Sequence, residues 1–513
     1  MTLTAIERGA WEKAIERFRP QPPKMRRWAS PLDMACELNP ATVRTPALEV
    51  INAALVRLAD KPTTGKLAVF VSPQEGKSTL CSYWNPLWLL THDPDTRVMM
   101  VSYNAEKSRE WGGEVKNAIA NFRGDDGMLD LGIRLRPDSR AAGRWNVADH
   151  RGGIYCAGIA SGITGRATDY IVVDDPTKNL QEARSETMRD KVSSTYRGAL
   201  VPRMRDVTKL IWIQTLWNEA ETIQQILANE GSSWEVIRIP AICDSPDDPL
   251  GRAIGEPMKS ATSSRDWDKI RRDVGEYVFS ALYQQRPTPA EGNLFKRLWW
   301  RRWVTAPDNQ IGERLDLGGR IWPTSEMWRF ITGDLAASTR TSADWTVAAA
   351  WGLTLDGDLV LLDLARARVG ERHHYDLFRP LAERWAVDTA FIEATQHSMT
   401  LTAEASRSGL HITPLHADTD KFSRALPASA RASGGRIWLP AAAPWAADFI
   451  SECAAFPNGS HDDMVDCLAY AVRVAITKWA PPPPASPVAR ARRTPDPFAA
   501  LGGGNINFQK VPL

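Results

Sequence analysis

The sequence holds six cysteines in 513 residues, at positions 36, 81, 156, 243, 453 and 467, and none forms a CxxC pair. A zinc cage and a disulfide framework are both excluded, and buried free thiols are expected. No run approaches the roughly 20 uninterrupted apolar residues that span a bilayer. The opening stretch, MTLTAIERGAWEK, reads as a polar helix and not as a secretory signal. These features are those of a cytosolic protein without a membrane partner. Net charge is nearly absent as well: +2 is too small to mark the whole chain as a nucleic-acid binder, so any phosphate contact must come from local basic patches. Tryptophan, by contrast, is plentiful, with 21 residues. The cluster Leu298-Trp299-Trp300-Arg301-Arg302-Trp303 has the rings and guanidinium groups to stack on bases, although core or interdomain packing is the commoner use.

A chain of this length folds as more than one domain. Two prolines and a glycine in YQQRPTPAEGN (283–293) mark a boundary, and the Pro-, Asp-, Gly- and Ser-rich stretch 241–265 reads as a linker within the first half. From about residue 480, APPPPASPVARARRTPDPFAALGGGNINFQKVPL reads as a disordered, mildly basic tail. Between residues 66 and 240 the runs LAVFV, RVMMVSY, GGIYCAG, DYIVVDD, KLIWIQT and WEVIRI alternate with amphipathic stretches. Continuous apolar strands separated by helices predict an α/β fold with a parallel sheet covered on both faces. From residue 328 the pattern restarts with WRFITGD, WTVAAAWGL and DLVLLDLARAR, with a hairpin signal at Asp356-Gly357. A helical run (372–386), the strand TAFIEA, a second helix and the strand HITPLH follow. The second half is therefore a mixed sheet.

The stretch KLAVFVSPQEGKSTL (66–80) runs a strand into Gly76-Lys77-Ser78 and then a helix, the layout of a phosphate-cradling loop, although Val71 stands where such loops usually carry their first glycine. Backbone N–H groups and a helix N-terminus surround phosphates, a lysine adds point charge, and a Ser or Thr hydroxyl ligates Mg²⁺. The tripeptide alone equally suits a polar helix cap. The strand DYIVVDDP (169–176) adds two adjacent carboxylates: Asp174 is suited to hold Mg²⁺ through water, and Asp175 to orient the attacking water. Arg166, in GITGRATDY, is a candidate arginine finger toward a neighbouring subunit, and Thr215, after KLIWIQT, a candidate γ-phosphate sensor. Gly76, Lys77, Ser78, Thr79, Asp174 and Thr215 are the expected ATP contacts.

In their order, SPQEGKST, YIVVDDPTKNLQEARS, WIQTLWNEAET and LYQQRPTPAEGNLFKR resemble the large terminase subunit of tailed bacteriophages over roughly residues 60–480. The resemblance implies a P-loop ATPase of the ASCE type followed by an RNase H-like nuclease. Its implied domains are a helical arm (1–45), the ATPase (46–285, with a linker subdomain from about 241), a connector (286–325), the nuclease (326–480) and the tail (481–513). It implies ATP-driven movement of double-stranded viral DNA into a procapsid, with metal-dependent cutting of concatemers. The implied partners are the portal protein, the small terminase subunit and further copies in a ring, with a monomer in solution also allowed. The implied location is the infected host's cytoplasm and transiently the procapsid vertex. Two departures stand out: Pro73, Gln74 and Glu75 occupy positions where the family often has an arginine, and the second acid of the pair is Asp175 instead of the frequent Glu.

The second half has acids at element ends: Asp334 after WRFITG, Glu393 after TAFI, and Asp462, Asp463 and Asp466 in SHDDMVDCLAYAV. Stacked carboxylates three and four apart repel unless neutralised. A capping box from Ser460 to Asp463 accounts for part of this but not for Asp466 or the strand-end acids. Carboxylates converging from two strands and a helix suit two Mg²⁺ or Mn²⁺ ions about 3.5–4 Å apart, one activating water and one stabilising the leaving oxygen. The resemblance matches Asp334, Glu393 and the Asp462/Asp463 pair to the family's nuclease, with either member of the pair open as principal ligand. Asp344 is a lesser candidate. Lys421 and Arg424 share a helical face suited to the DNA backbone, or to plain solvation. Two other classes fit the same acids: a transposase or repair-type nuclease with a fused ATPase, and a non-catalytic ATP-dependent DNA scaffold.

Overall fold

The computed structural model describes residues 24–25, 27–125, 129–139, 141–161, 163, 167–261, 265–287, 294–306, 314–336, 345–394, 398–417 and 419–478. The expected polar helix at the start, the tail from 481 and most of the 283–293 break fall outside these residues.

Seven strands form the first sheet: β1 (Gly65–Val71), β2 (Arg97–Ser102), β3 (Arg144–Asn146), β4 (Gly153–Gly158), β5 (Tyr170–Asp174), β6 (Lys209–Ile213) and β7 (Trp234–Ile239). Their order is β3-β4-β2-β5-β6-β1-β7, all parallel except β3 against β4. The strands read as unbroken apolar runs because both faces are buried. In β1 the alternation is explicit: Leu67, Val69 and Val71 enter one core, Ala68 and Phe70 the other. The first core is roofed by α1 (Pro31–Leu38), α2 (Pro46–Asp60), α3 (Asn85–His92) and α4 (Ala105–Asn121). Their starts are set locally: Ser30, Thr45 and Asn104 each accept a backbone N–H of the first helical turn. After β5 the short α5 (Leu180–Arg184) sends Leu180 into the core of the second half, while α6 (Glu186–Thr195) and α7 (Thr222–Glu230) place Val192, Ile223 and Ile226 in the core on the opposite face of the sheet. Fully buried Trp212 and Tyr196 anchor that side, ring centroids 6.0 Å apart. Each such ring contributes roughly 1.5–3 kcal/mol of burial.

The second sheet has nine strands: β8 (Arg301–Thr305), β9 (Arg314–Asp316), β10 (Ile321–Pro323), β11 (Trp328–Asp334), β12 (Thr346–Leu353), β13 (Leu359–Ala367), β14 (Thr389–Glu393), β15 (His411–Leu415) and β16 (Ile437–Pro440). Their order is β10-β9-β8-β16-β13-β12-β11-β14-β15, with β11 to β13 an antiparallel meander and β14 and β15 joined in parallel to β11. Gly357 takes a positive φ of 82° in the connection from β12 to β13. Within the connector expected at 286–325, β8 to β10 extend this sheet, β8 running parallel to β16. Trp300 packs between Phe295 and Phe449, at centroid distances of 5.7 and 5.6 Å, so this part of the tryptophan cluster serves the core.

The 241–265 stretch, expected as a linker within the first half, has Ala241 N–H donating to Tyr283 O and Met258 N–H to Ala241 O. It leads into α8 (Trp267–Val274). In the second half, α9 (His374–Trp385) and α10 (Ser398–Arg407) cover one face of the sheet. The other face carries α11 (Lys421–Ser433), α12 (Ala446–Ala455) and α13 (Asp463–Lys478). The halves meet at α11, where the Arg184 guanidinium lies 3.7 Å from the Phe422 ring centroid and pairs with Asp420 at 3.6 Å. Among the described residues no helix is long and apolar enough to cross a membrane.

Candidate active sites

The carboxyl ends of β1, β5 and β6, neighbours in the first sheet, bring three segments to one edge. After β1 the chain turns through Gln74 (φ 63°) and Gly76 (φ 82°), and a helix begins at Lys77. A side chain at Gly76 would be strained by that φ, which explains the one glycine the loop keeps. Lys77 is buried and its Nζ donates to Thr215 Oγ1 at 2.9 Å. Ser78 Oγ donates to Asp174 Oδ1 at 2.9 Å, and Ser82 Oγ to Asp174 Oδ2, also at 2.9 Å. Ser82 lies in a π-helical turn (Thr79–Trp84), a local widening that recurs at functional sites. Thr79 opens that turn and is exposed.

Burial and the adjacent Asp175 push the Asp174 carboxyl up to about 6, against the opposing pull of Ser78, Ser82 and Lys77. Asp175 takes a positive φ of 42° and accepts the Thr215 N–H at 2.9 Å. Lys77, Ser78, Asp174, Asp175 and Thr215 thus interlock. Arg166 lies outside the described residues. Two acids that the motifs did not single out also belong here. Glu75 is buried in the loop itself and pairs with Arg265. Glu221, 1% exposed, is driven well above the usual carboxylate range by burial, with Asp175 adding to the effect.

In the second half, β11 ends at Asp334 and its parallel neighbour β14 ends at Glu393. Helix α13 is docked beside them: Thr332 Oγ1 donates to Cys467 O at 2.9 Å and accepts Trp351 Nε1–H at 2.8 Å. Asp334 is pushed up to about 8, by burial first and then by Asp466 and Asp463, with Glu393 adding and Lys421 opposing. These four acids share one electrostatic pocket. Asp466 is held by Lys421 at 3.1 Å and Arg424 at 3.0 Å, while Lys421 also binds Asp462 at 2.8 Å. Tyr470 OH donates to Glu393. Asp463, the first residue of α13, accepts Trp345 N–H at 3.2 Å from just before β12 and faces Arg366 of β13 at 3.4 Å.

The donors are all oxygen and their like charge is crowded, a chemistry that fits hard divalent cations. As arranged, Lys421, Arg424, Arg366 and Tyr470 draw the carboxylates to themselves, and among the described residues no three His, Cys, Asp or Glu side chains stand ready around one point. Lys421 and Arg424, whose shared face suits a DNA backbone or plain solvation, both pair with Asp466. Asp344 lies outside the described residues. The motifs did not single out Ser82 or Tyr470; the only signal for them is their place four residues after Ser78 and Asp466, a spacing that puts side chains on one helical face. Arg265 reaches Glu75 across 190 residues and had no local signal.

The family model described as "Terminase large subunit, T4likevirus-type, N-terminal" matches residues 69–302, and that described as "Terminase RNaseH-like domain" matches residues 331–473. Among solved structures, the large terminase from a thermophilic bacteriophage aligns at 12% identity, covering 85% of this chain and 100% of that one, with a TM-score of 0.46. The same protein in complex with ATP-gamma-S aligns at 12% identity over 83% of this chain and 98% of that one, TM-score 0.44. The large terminase nuclease from thermophilic phage G20c with bound magnesium aligns at 17% identity over 36% of this chain and 98% of that one, TM-score 0.26. No curated protein matches the chain. With its two halves matched in turn by the N-terminal and RNase H-like family models, the chain belongs to the large terminase subunits of phages, an ATPase domain followed by a nuclease domain.

Proposed function

We propose that this subunit is a genome-packaging motor that hydrolyses ATP to move double-stranded viral DNA into a procapsid and cuts concatemeric DNA at its second site. The observation that carries this reading is the pairing, in one chain, of the Lys77–Thr215 and Ser78–Asp174–Ser82 contacts with the separate acid pocket around Asp334. In the first site Lys77 supplies positive charge to the phosphates, Ser78 and Asp174 are the groups that would hold Mg²⁺, and Asp175 orients the attacking water. Gly76 and Thr79 complete the loop, and Thr215 exchanges Lys77 for the γ-phosphate, which makes it the sensor. Arg166 is the proposed arginine finger acting on a neighbouring subunit in a ring.

In the second site Asp334, Glu393 and Asp466, with Asp462 or Asp463, would hold two Mg²⁺ or Mn²⁺ ions. When bound, such ions supply an activated water and neutralise a leaving 3′ oxygen. Lys421 and Arg424, released from the acids, would then face the DNA backbone. The portal protein and the small terminase subunit are the proposed protein partners, met at the procapsid vertex in the host cytoplasm. Paired substitutions test the assignment. Lys77→Ala abolishes ATP turnover and leaves plasmid cutting, whereas Asp334→Ala stops cutting and leaves ATP turnover. Undiminished ATP hydrolysis in the first variant, or plasmid linearisation by the second, overturns the corresponding site.

A further inference from the structure

A carboxylate is the wrong charge for a loop that receives phosphates, yet Glu75 directly precedes Gly76-Lys77-Ser78. Its side chain is fully buried, so water does not screen it. Three groups answer its charge. The Arg265 guanidinium pairs with Oε1, Ser260 Oγ donates to the same oxygen at 3.0 Å, and Lys77 acts on it electrostatically; Oε2 has no hydrogen-bond partner among the described residues.

Arg265 is held in turn. Its guanidinium lies 4.9 Å from the Trp267 ring centroid, and Trp267 Nε1 donates to Met258 O at 3.1 Å. The same segment grips the loop's other end, where Ser72 Oγ donates to Tyr283 O at 3.2 Å. One excursion of chain, residues 241–283, therefore braces the phosphate loop at Ser72 and at Glu75.

We propose that Arg265 is a positioning residue of the ATP site, neutralising Glu75 so that the 72–78 loop admits a nucleoside triphosphate. This deepens, and rests on, the reading of that loop as the ATP site. A pair that served stability alone would make both partners equally necessary. Charge compensation makes them unequal, because loss of Arg265 leaves a buried anion beside the phosphates, whereas loss of the Glu75 charge removes the repulsion at its source.

The test is ATPγS affinity and ATPase kinetics for the wild-type chain, Arg265→Gln, Glu75→Gln and the double variant. Arg265→Gln weakens ATPγS binding about tenfold or more, equivalent to about 1.4 kcal/mol, with the loss concentrated in KM and less in kcat. Glu75→Gln binds at least as tightly as wild type, and the double variant recovers to within about threefold of wild type. Equal weakening in both single variants, no recovery in the double variant, or unchanged affinity in Arg265→Gln overturns the proposal. Should Arg265→Gln fail to fold, the direction of the Glu75→Gln effect still decides, since weakening there contradicts charge compensation. ATPγS binding by the wild type and its loss in Lys77→Ala report on the ATP site separately. If those fail, the site is wrong; if they hold and Arg265→Gln binds normally, only the role of Arg265 is wrong.

Discussion

Ser82→Ala is a small change with a signed outcome. Ser82 is fully buried, and its hydroxyl donates to the one Asp174 oxygen that Ser78 does not reach. A hydrogen bond to a charged group contributes about 1.5–3 kcal/mol, and one to a neutral group about 0.5–1.5 kcal/mol. Asp174 changes between those states at about 6 in the folded chain, raised by burial and Asp175, against about 3.9 when unfolded. The folded chain therefore binds this proton more tightly, so stability falls as pH rises from about 4 to about 6 and stays at the lower level above that. Removing the Ser82 hydroxyl leaves a buried anion short of a donor and moves the folded midpoint up by about one pH unit, since one unit is about 1.4 kcal/mol. The expected cost is about 2 kcal/mol near pH 8 and about 1 kcal/mol near pH 5. Urea unfolding of the nucleotide-free chain, followed by tryptophan fluorescence at both pH values, measures the difference. An equal cost at the two pH values, or a larger one at pH 5, refutes the claim that Ser82 serves the ionised carboxylate.

The second site and the domain contact give further tests. Lys421→Gln removes a cation shared by Asp462 and Asp466, so the metal-free chain loses about 1–3 kcal/mol; calorimetric titration with Mn²⁺ should recover most of that loss, and equal stability with and without the lysine would contradict its role. Gly333→Ala drives a methyl group into the Phe378 ring, directly before Asp334; a loss of about 1–3 kcal/mol is expected, eased by a second change, Phe378→Leu, and a thermal melt that shows neither effect contradicts the packing. Arg184→Ala removes the contact with Phe422 and Asp420, so amide hydrogen exchange should quicken in Lys421–Ser433 while the first sheet is unaffected; unchanged exchange in that helix would mean the contact does not hold it.

Much of this architecture was legible because the signals are local. Unbroken apolar runs such as Ile171-Val172-Val173 can satisfy both of their buried faces only inside a covered sheet, and the chain's first sheet is built from them. Asp334 and Glu393 stood out because each closes an apolar strand, and the parallel pairing of β11 with β14 sets those ends side by side. The short strand Arg144–Asn146 carries one buried residue in three, too little pattern to announce itself. Long-range charge pairing left no trace either. Lys421 and Arg424 looked like a solvated or DNA-facing stripe because nothing within α11 reveals the Asp462 and Asp466 carboxylates that receive them. Glu75 stood out only as a departure from the family's loop, because its partner Arg265 comes 190 residues later in the chain.

The most direct measurement is a crystal structure of the intact chain with ATPγS and Mn²⁺, using the anomalous signal of manganese to count and place the ions. The account predicts one ion between Ser78, Asp174 and the nucleotide, and others bounded by Asp334, Glu393 and Asp466, with Lys421 moved off the acids. Manganese absent from the Asp334 pocket while present beside the nucleotide, or ATPγS bound away from residues 72–78, would contradict it.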